Sequence, residues 1–420
     1  MTFTPFETAA ILIVLATLLG YVNYRFVGLQ HTIGLTVMGA IASLAVVAAD
    51  AALPLPLEAA EESLLESIDF SDTFLTGMLS FLLFAGALHV DLGNLLQRKW
   101  AVSLLATVGV VISTLVVGAG FRLATWLLGF EVSWLWCLVF GALISPTDPV
   151  AVVGILGAAG TSPVFEAKIA GESLFNDGVG VVLFTILLAA ATGAEQFSFG
   201  HAGELFLLEA GGDVLLGLVV GWLGFLMMRS VEEHNIEILI TLSIVMGGYA
   251  LAERLHISGP IAMAVAGLLI GNRGVRMAMS ERTRGHLLGF WSLLDEILSS
   301  VLFLIIGLEV VAVDGDAATL LVGALAIPLV LAARALSVAV PLGLLARLVR
   351  FEPGTYPMLV WGGLRGGISI ALALSLPSGA LQDLLLTATY IVVVFSVAVQ
   401  GTTVGLAARR LLRAEQVAAT

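Results

Sequence analysis

Apolar runs of about twenty residues recur along the whole of this 420-residue chain, separated by short polar breaks. As a helix, a run of that length spans the ~30 Å hydrocarbon core of a bilayer, and no soluble fold has room to bury so many. The residues are 59% hydrophobic and only 12% charged, with a mean hydropathy of +1.06. Long continuous runs, rather than alternating ten-residue segments, argue against an outer-membrane barrel. The expected class is an all-α polytopic membrane protein. Met1 to Tyr24 lacks a basic leading region and reads as a retained first span rather than a cleaved signal.

The polar breaks predict about thirteen spans, at 7–25, 31–49, 72–90, 101–128, 133–157, 167–192, 204–228, 235–253, 258–272, 290–312, 318–344, 355–376 and 384–408. The basic residues test the count. With the N-terminus outside, one side holds Arg25, Arg98, Lys99, Lys168, Arg229, Arg273, Arg276, Arg282, Arg284, Arg347, Arg350, Arg409, Arg410 and Arg413, and the other only Arg254. That asymmetry follows the positive-inside rule, and a miscounted span would scramble it. The expected orientation is N-terminus outside and C-terminus cytoplasmic. The acidic connection between Asp50 and Asp72 reads as a solvated amphipathic segment. A net charge of −13 argues against a nucleic-acid partner, and the single Cys137 excludes an intramolecular disulfide.

Three carboxylates fall inside this apolar pattern, within Ser145-Pro146-Thr147-Asp148-Pro149 and Gly171-Glu172-Ser173-Leu174-Phe175-Asn176-Asp177-Gly178. A charged carboxylate at mid-membrane costs at least ~2.5–3.5 kcal/mol, which makes an intramembrane acid a functional-site hypothesis by default. Span 5 carries two prolines around its acid, and span 12 carries Gly362, Gly363, Gly366 and Gly367 around Arg365. The two spans lie seven apart and so cross the membrane in opposite directions. Paired interruptions in two inverted halves mark the substrate site of a secondary transporter.

Helical spacing puts Ser173 with Asp177 on one stripe and Glu172 with Asn176 on the next. Asp177, Ser173, Asp148 and carbonyls freed near Thr147 are the expected oxygen ligands of a dehydrated monovalent cation. A carboxylate in such a place holds either a proton or a cation, which suffices for exchange if the empty charged site cannot cross. Arg365 needs a partner at mid-depth. Glu172 is the expected one, forming a structural pair, and the alternative is that Arg365 binds an anionic substrate.

The runs Ser145–Leu156 (SPTDPVAVVGIL), Gly171–Phe184 (GESLFNDGVGVVLF) and Gly362–Pro377 (GGLRGGISIALALSLP) closely resemble the monovalent cation:proton antiporter-1 family of sodium/proton exchangers. Phe303–Val310 and Ile257–Asn272 fit its bacterial branch. The resemblance implies thirteen helices with inverted repeats, a homodimer, no cofactor, and a multi-pass protein of a bacterial-type plasma membrane serving pH homeostasis. It implies a scaffold from about 1–99 and 200–315, a moving ion-binding core from about 100–199 and 316–412, and a short cytoplasmic tail at 413–420. Ion binding and proton exchange would fall on Asp177, Asp148, Thr147 and Ser173, with Asn176, Glu172 and Arg365 in support. Na⁺ would be the main cation, with Li⁺ or K⁺ as others, and Asn176 before Asp177 would accompany electroneutral exchange.

Asp213, Asp295, Glu296 and Glu309 read as interface, capping or pairing residues, for instance with Arg334, and the competing reading is an ion path. The six histidines and seven tryptophans mostly fall near span ends, as interfacial residues do. A sodium-coupled symporter of an organic anion is the alternative function. An intramembrane enzyme would need a nucleophile or metal set, and no His or Cys accompanies the acids.

Overall fold

The computed structural model describes residues 4–52, 77–97, 99–148, 152, 163–193, 199–255, 257, 259–275, 278–309, 316–346 and 354–418. All its regular elements are helical. In chain order they are α1 Pro5–Val22, α2 His31–Ala52, α3 Leu79–His89, α4 Leu92–Gln97, α5 Lys99–Leu104, α6 Val110–Leu127, α7 Trp134–Leu143 and α8 Pro163–Ala191. There follow α9 Phe199–Arg229, α10 His234–Arg254, α11 Gly259–Leu269, α12 Glu281–Leu308, α13 Ala317–Leu345, α14 Thr355–Trp361, α15 Gly367–Leu374, α16 Ala380–Phe395 and α17 Thr402–Ala418. Among the described residues nine helices are long and apolar enough to cross a membrane, and α3 and α7 are shorter apolar helices. Each of the thirteen apolar runs contains helix, and the chain is a multi-pass membrane protein. The acidic connection between Asp50 and Asp72, Pro149 and the end of span 5 lie outside the described residues.

Local chemistry sets the helix ends. Thr4 caps α1 in a reciprocal box, its hydroxyl accepting from the Glu7 amide at 3.3 Å while the Glu7 carboxylate accepts from the Thr4 amide at 2.8 Å. α12 starts nine residues before the apolar run predicted at 290, because Ser280 caps it and accepts from the Thr283 amide. Its first turns carry Arg282, Arg284 and His286, and so look like a loop to any hydropathy reading.

With lipid on one side and helix on the other, apolar burial gives little drive for helices to associate. Small residues that let backbones approach take over that role. Gly307 of α12 lies against Gly39 and the Thr36 carbonyl of α2, and Gly267 of α11 lies against the Phe84 carbonyl of α3. Gly141 of α7 sits so close to α6 that a Cβ would stand 2.3 Å from the Thr114 carbonyl oxygen. The closest helix pairings are α2 with α12, α3 with α11, α9 with α11, α6 with α7 and with α13, α7 with α8, and α13 with α16.

Two chain segments leave helical geometry inside this bundle. After α7 the chain is irregular from Ser145 to Asp148, and between α14 and α15 it is irregular from Gly363 to Gly366. Pro146 has no amide to donate and disfavours helix at Ser145. Gly362, Gly363, Gly366 and Gly367 weaken helix through lost backbone entropy. Their small size is also used: a Cβ on Gly366 would stand 2.5 Å from an Asp148 carboxylate oxygen, and one on Gly363 would stand 2.4 Å from Nε of Arg334.

The α6–α7 crossing yields a stability prediction. Gly141→Leu should overpack that contact and destabilise the protein by about 1–3 kcal/mol, read as a lower melting temperature in detergent. Gly343→Ala, with no atom within 4 Å of the new methyl, should melt like the parent.

Candidate ion-binding site

The two irregular segments touch. The Asp148 amide donates to the Leu364 carbonyl at 2.8 Å. The Arg365 guanidinium crosses from one segment to the other, its Nη1 donating to the Ser145 carbonyl and, at 3.0 Å, to the Pro146 carbonyl. Carbonyls released from a helix need donors wherever water is absent, and Arg365 supplies them. Asn176 of α8 fastens the first segment from the other side. Its Oδ1 accepts from the Thr147 amide at 3.2 Å, and its Nδ2 donates to Thr147 Oγ1 at 2.6 Å and to Glu172 Oε1 at 3.0 Å.

The ion pair expected between Glu172 and Arg365 forms with a different arginine. Arg334 of α13 grips Glu172 with both guanidinium nitrogens, at 2.7 and 2.9 Å, and its Nε donates to the Leu359 carbonyl at 3.0 Å. Both side chains are buried. The reason is direction: Arg334 reaches Glu172 as a planar fork, while the backbone carbonyls at 145 and 146 take Arg365. Arg334 had been named only as a neighbour for Asp213, Asp295, Glu296 or Glu309.

The second segment has its own anchor, which the sequence reading did not identify. The Arg365 amide donates to Ser396 Oγ at 2.8 Å, Ser396 Oγ donates to Gln400 Oε1 at 2.8 Å, and Gln400 Nε2 donates to the Trp361 carbonyl at 3.1 Å. Ser396 and Gln400 lie on a π-helical turn, Ser396–Gly401, between α16 and α17. Such turns recur at functional sites because they redirect side chains. Each interrupted helix is thus tied by a carboxamide from the long helix that follows it, Asn176 in one half and Gln400 in the other. A lone Gln in an apolar run is the signal that would have found it.

A cavity of about 110 Å³ opens beside the first segment, lined by Pro146, Thr147, Asp148 and Asp177, by Ser369 and Gly366, and by Asp295 and Ser299 of α12. That volume holds several waters. Asp177 is 2% exposed, and its Oδ1 is buried without a hydrogen-bond partner; the hydroxyl of Ser369 is in the same condition. Thr147, Asp148 and Asp177 therefore meet at one space, as the spacing suggested. Ser173 is turned to Thr147, with the two hydroxyls 3.1 Å apart, and is absent from the cavity wall. Counted as ionised groups, Asp148, Glu172, Asp177 and Asp295 set four negative charges against two positive ones, Arg334 and Arg365, so the site carries an excess of negative charge.

The altered pairing gives a testable contrast. Arg334→Met leaves the Glu172 carboxylate buried and alone, a loss of about 3–5 kcal/mol, and should melt well below the parent. Glu172→Leu combined with Arg334→Leu should regain most of that loss in the same melting assay.

Comparison with known proteins agrees with this architecture. Residues 13–410 match the family described as sodium/hydrogen exchanger, transmembrane. The Na⁺/H⁺ antiporter NhaP of Pseudomonas aeruginosa is 46% identical over 415 residues, covering 96% of each chain. The Na⁺/H⁺ antiporter NhaH of Halobacillus aidingensis is 35% identical over 354 residues, 83% of this chain and 85% of that one. In fold the chain is similar to the sodium proton antiporter MjNhaP1 of Methanocaldococcus jannaschii, with a TM-score of 0.76 at 20% identity over 96% of this chain and 97% of that one. The interrupted helices, the buried acids and this extent of likeness lead to one conclusion: the chain belongs to the sodium/hydrogen exchanger family.

Proposed function

We propose that this protein exchanges Na⁺ for H⁺ across the membrane, with Asp177 as the group that carries either one. The observation that supports this reading most directly is the condition of Asp177: buried, one oxygen without a partner, lining a cavity of about 110 Å³ in a site with an excess of negative charge. An unneutralised carboxylate in low dielectric is expensive, so the site is occupied by a cation or a proton before it moves. The antiporters to which the chain is similar support the same activity.

Asp148, Thr147 and Ser173 complete the oxygen set around the cation. Ser173 joins it by turning away from Thr147, a change of one side-chain torsion. Li⁺ and K⁺ compete for the same oxygens, with the ranking set by the size and rigidity of the site. Asn176, next to Asp177 in the chain, adds no second titrating acid there, which fits one-for-one, electroneutral exchange. The organic-anion symporter loses support, because Arg365 is 2% exposed and committed to two backbone carbonyls.

Alternating access in this reading moves α5–α8 and α13–α17 as one body against α1–α3 and α9–α12. The helix pairings within each set, and the thinner contact of α12 with α15, support that division. One end of the cavity reaches Val90 just past α3, Ala170 near the start of α8 and Asp295 midway along α12, toward the face where α3 finishes and α8 and α12 begin. Connections at those ends carry Lys99, Lys168, Arg282 and Arg284, which assigns them to the cytoplasm. Toward the other face the cavity wall is apolar, made by Leu79, Leu82, Leu302 and Ile368. The structure is thus read as an inward-facing state with an apolar outer seal. The protein would act as a homodimer in the plasma membrane, N-terminus outside and C-terminus cytoplasmic.

Two outcomes test the reading. In everted vesicles, added Na⁺ should collapse a preformed pH gradient, and Asp177→Asn should abolish the response while melting like the parent; a fully active variant would remove Asp177 from the mechanism. Because protons compete for the same carboxylate, the apparent KM for Na⁺ should rise as pH falls. The rise approaches about tenfold per pH unit below the pKa of the site, as one-proton competition requires. A KM that does not vary with pH contradicts the competition.

A further inference from the structure

The cavity in front of Asp177 has one wall that the exchange mechanism above does not use. Asp295 and Ser299, four residues apart on α12, share a helix face and both line that wall. Asp295 is half-buried and Ser299 is buried. Their spacing repeats the carboxylate and hydroxyl arrangement of Asp177 and Ser173 on α8, now on a helix packed against α2, α3 and α10. Asp295 and Asp148 line the same cavity. Among the described residues lining the cavity none is basic. Two buried oxygens, Asp177 Oδ1 and Ser369 Oγ, face the same space without a hydrogen-bond partner.

We infer that Asp295, with Ser299 beside it, is a positioning residue that collects the incoming monovalent cation at the inner mouth of the cavity and hands it to Asp177. The physical argument is that of a charged cleft. Carboxylates of one sign along a low-dielectric wall focus the field and raise the local concentration of the opposite ion. The cavity is wide enough for the cation to arrive with part of its water shell, so Asp295 and Ser299 need only replace the remainder. Asp295 also sits on the helix set that, in the reading above, stays still while Asp177 moves. It therefore acts on the site from one side of the membrane only. When the site faces outward, Asp295 is left behind, and that sidedness separates it from a ligand that travels with the ion.

This inference rests on Asp177 being the exchanging group, and the test keeps the two ideas apart. Na⁺ is titrated from each face separately, with everted vesicles presenting the cytoplasmic face and oriented proteoliposomes the outer one. Asp295→Asn should raise the apparent KM for Na⁺ at the cytoplasmic face by roughly three- to tenfold. The maximal rate and the outer-face KM should stay within about twofold, as expected where charge acts on ion capture rather than on the moving site. The cytoplasmic KM of the parent should rise with ionic strength set by choline chloride, and that of the variant should rise much less. Asp295→Glu should restore the parent values. An unchanged KM at the cytoplasmic face, or an equal rise at both faces, overturns the inference. If Asp295→Asn does not fold, Ser299→Ala is read in the same assay, and it must show a smaller rise confined to the cytoplasmic face. A parent protein that fails to couple Na⁺ to H⁺ at all would instead refute the exchange reading itself.

Discussion

Uncompensated charge cannot rest in the middle of a bilayer, and the interior of this protein is arranged around that constraint. Three carboxylates and two guanidiniums gather where the two interrupted helices meet. Arg334 and Glu172 neutralise each other through a two-point contact at 2.7 and 2.9 Å. Arg365 is spent on the carbonyls of Ser145 and Pro146, groups that exist only because the helix is broken there. What is left is Asp177, with an oxygen that no protein donor reaches. The Ser369 hydroxyl beside the same cavity is likewise without a partner.

The same network explains how irregular backbone survives at that depth. Each break frees amides and carbonyls that lipid cannot satisfy. Here each break is served by the other, through Asp148 to Leu364, and by a carboxamide from the next long helix. Asn176 and Gln400 serve one break each, and Gln400, on a π-helical turn, donates to the Trp361 carbonyl. Among the described residues α7, α14, α15, the two long helices and the pair of arginines are joined by these hydrogen bonds.

The site was partly legible in the residues alone. Asp177, Asp148 and Thr147 do converge on one cavity, and Asn176 does sit one turn from Glu172 and bonds to it. Spacing along one helix fixes such relations. The expected partner of Glu172 differs from the observed one because the partner lies on another helix, and three arginines, Arg122, Arg334 and Arg365, fall in apolar runs. Which one reaches Glu172 depends on the packing of α13 against the core, and sequence distance says nothing about it. Ser173 shows a related gap: it shares a helix face with Asp177, yet its hydroxyl is engaged by Thr147 across a helix boundary. Ser396, Gln400 and Ser369 were passed over because single small polar residues in apolar runs resemble ordinary helix packing.

The sequence by itself determined the class, the approximate number of spans and the places where helices break. Each of these follows from local chemistry: run length against bilayer thickness, proline without an amide, glycine without a side chain. It also determined that acids lie in lipid-depth segments, and that they require a reason. Tertiary structure alone decided which opposite charges pair and which oxygen is left without a partner. It also decided that Asp295 from a distant helix lines the same cavity. Those outcomes depend on distances between helices far apart in the chain, set by glycine contacts and crossing angles that no one-dimensional pattern encodes.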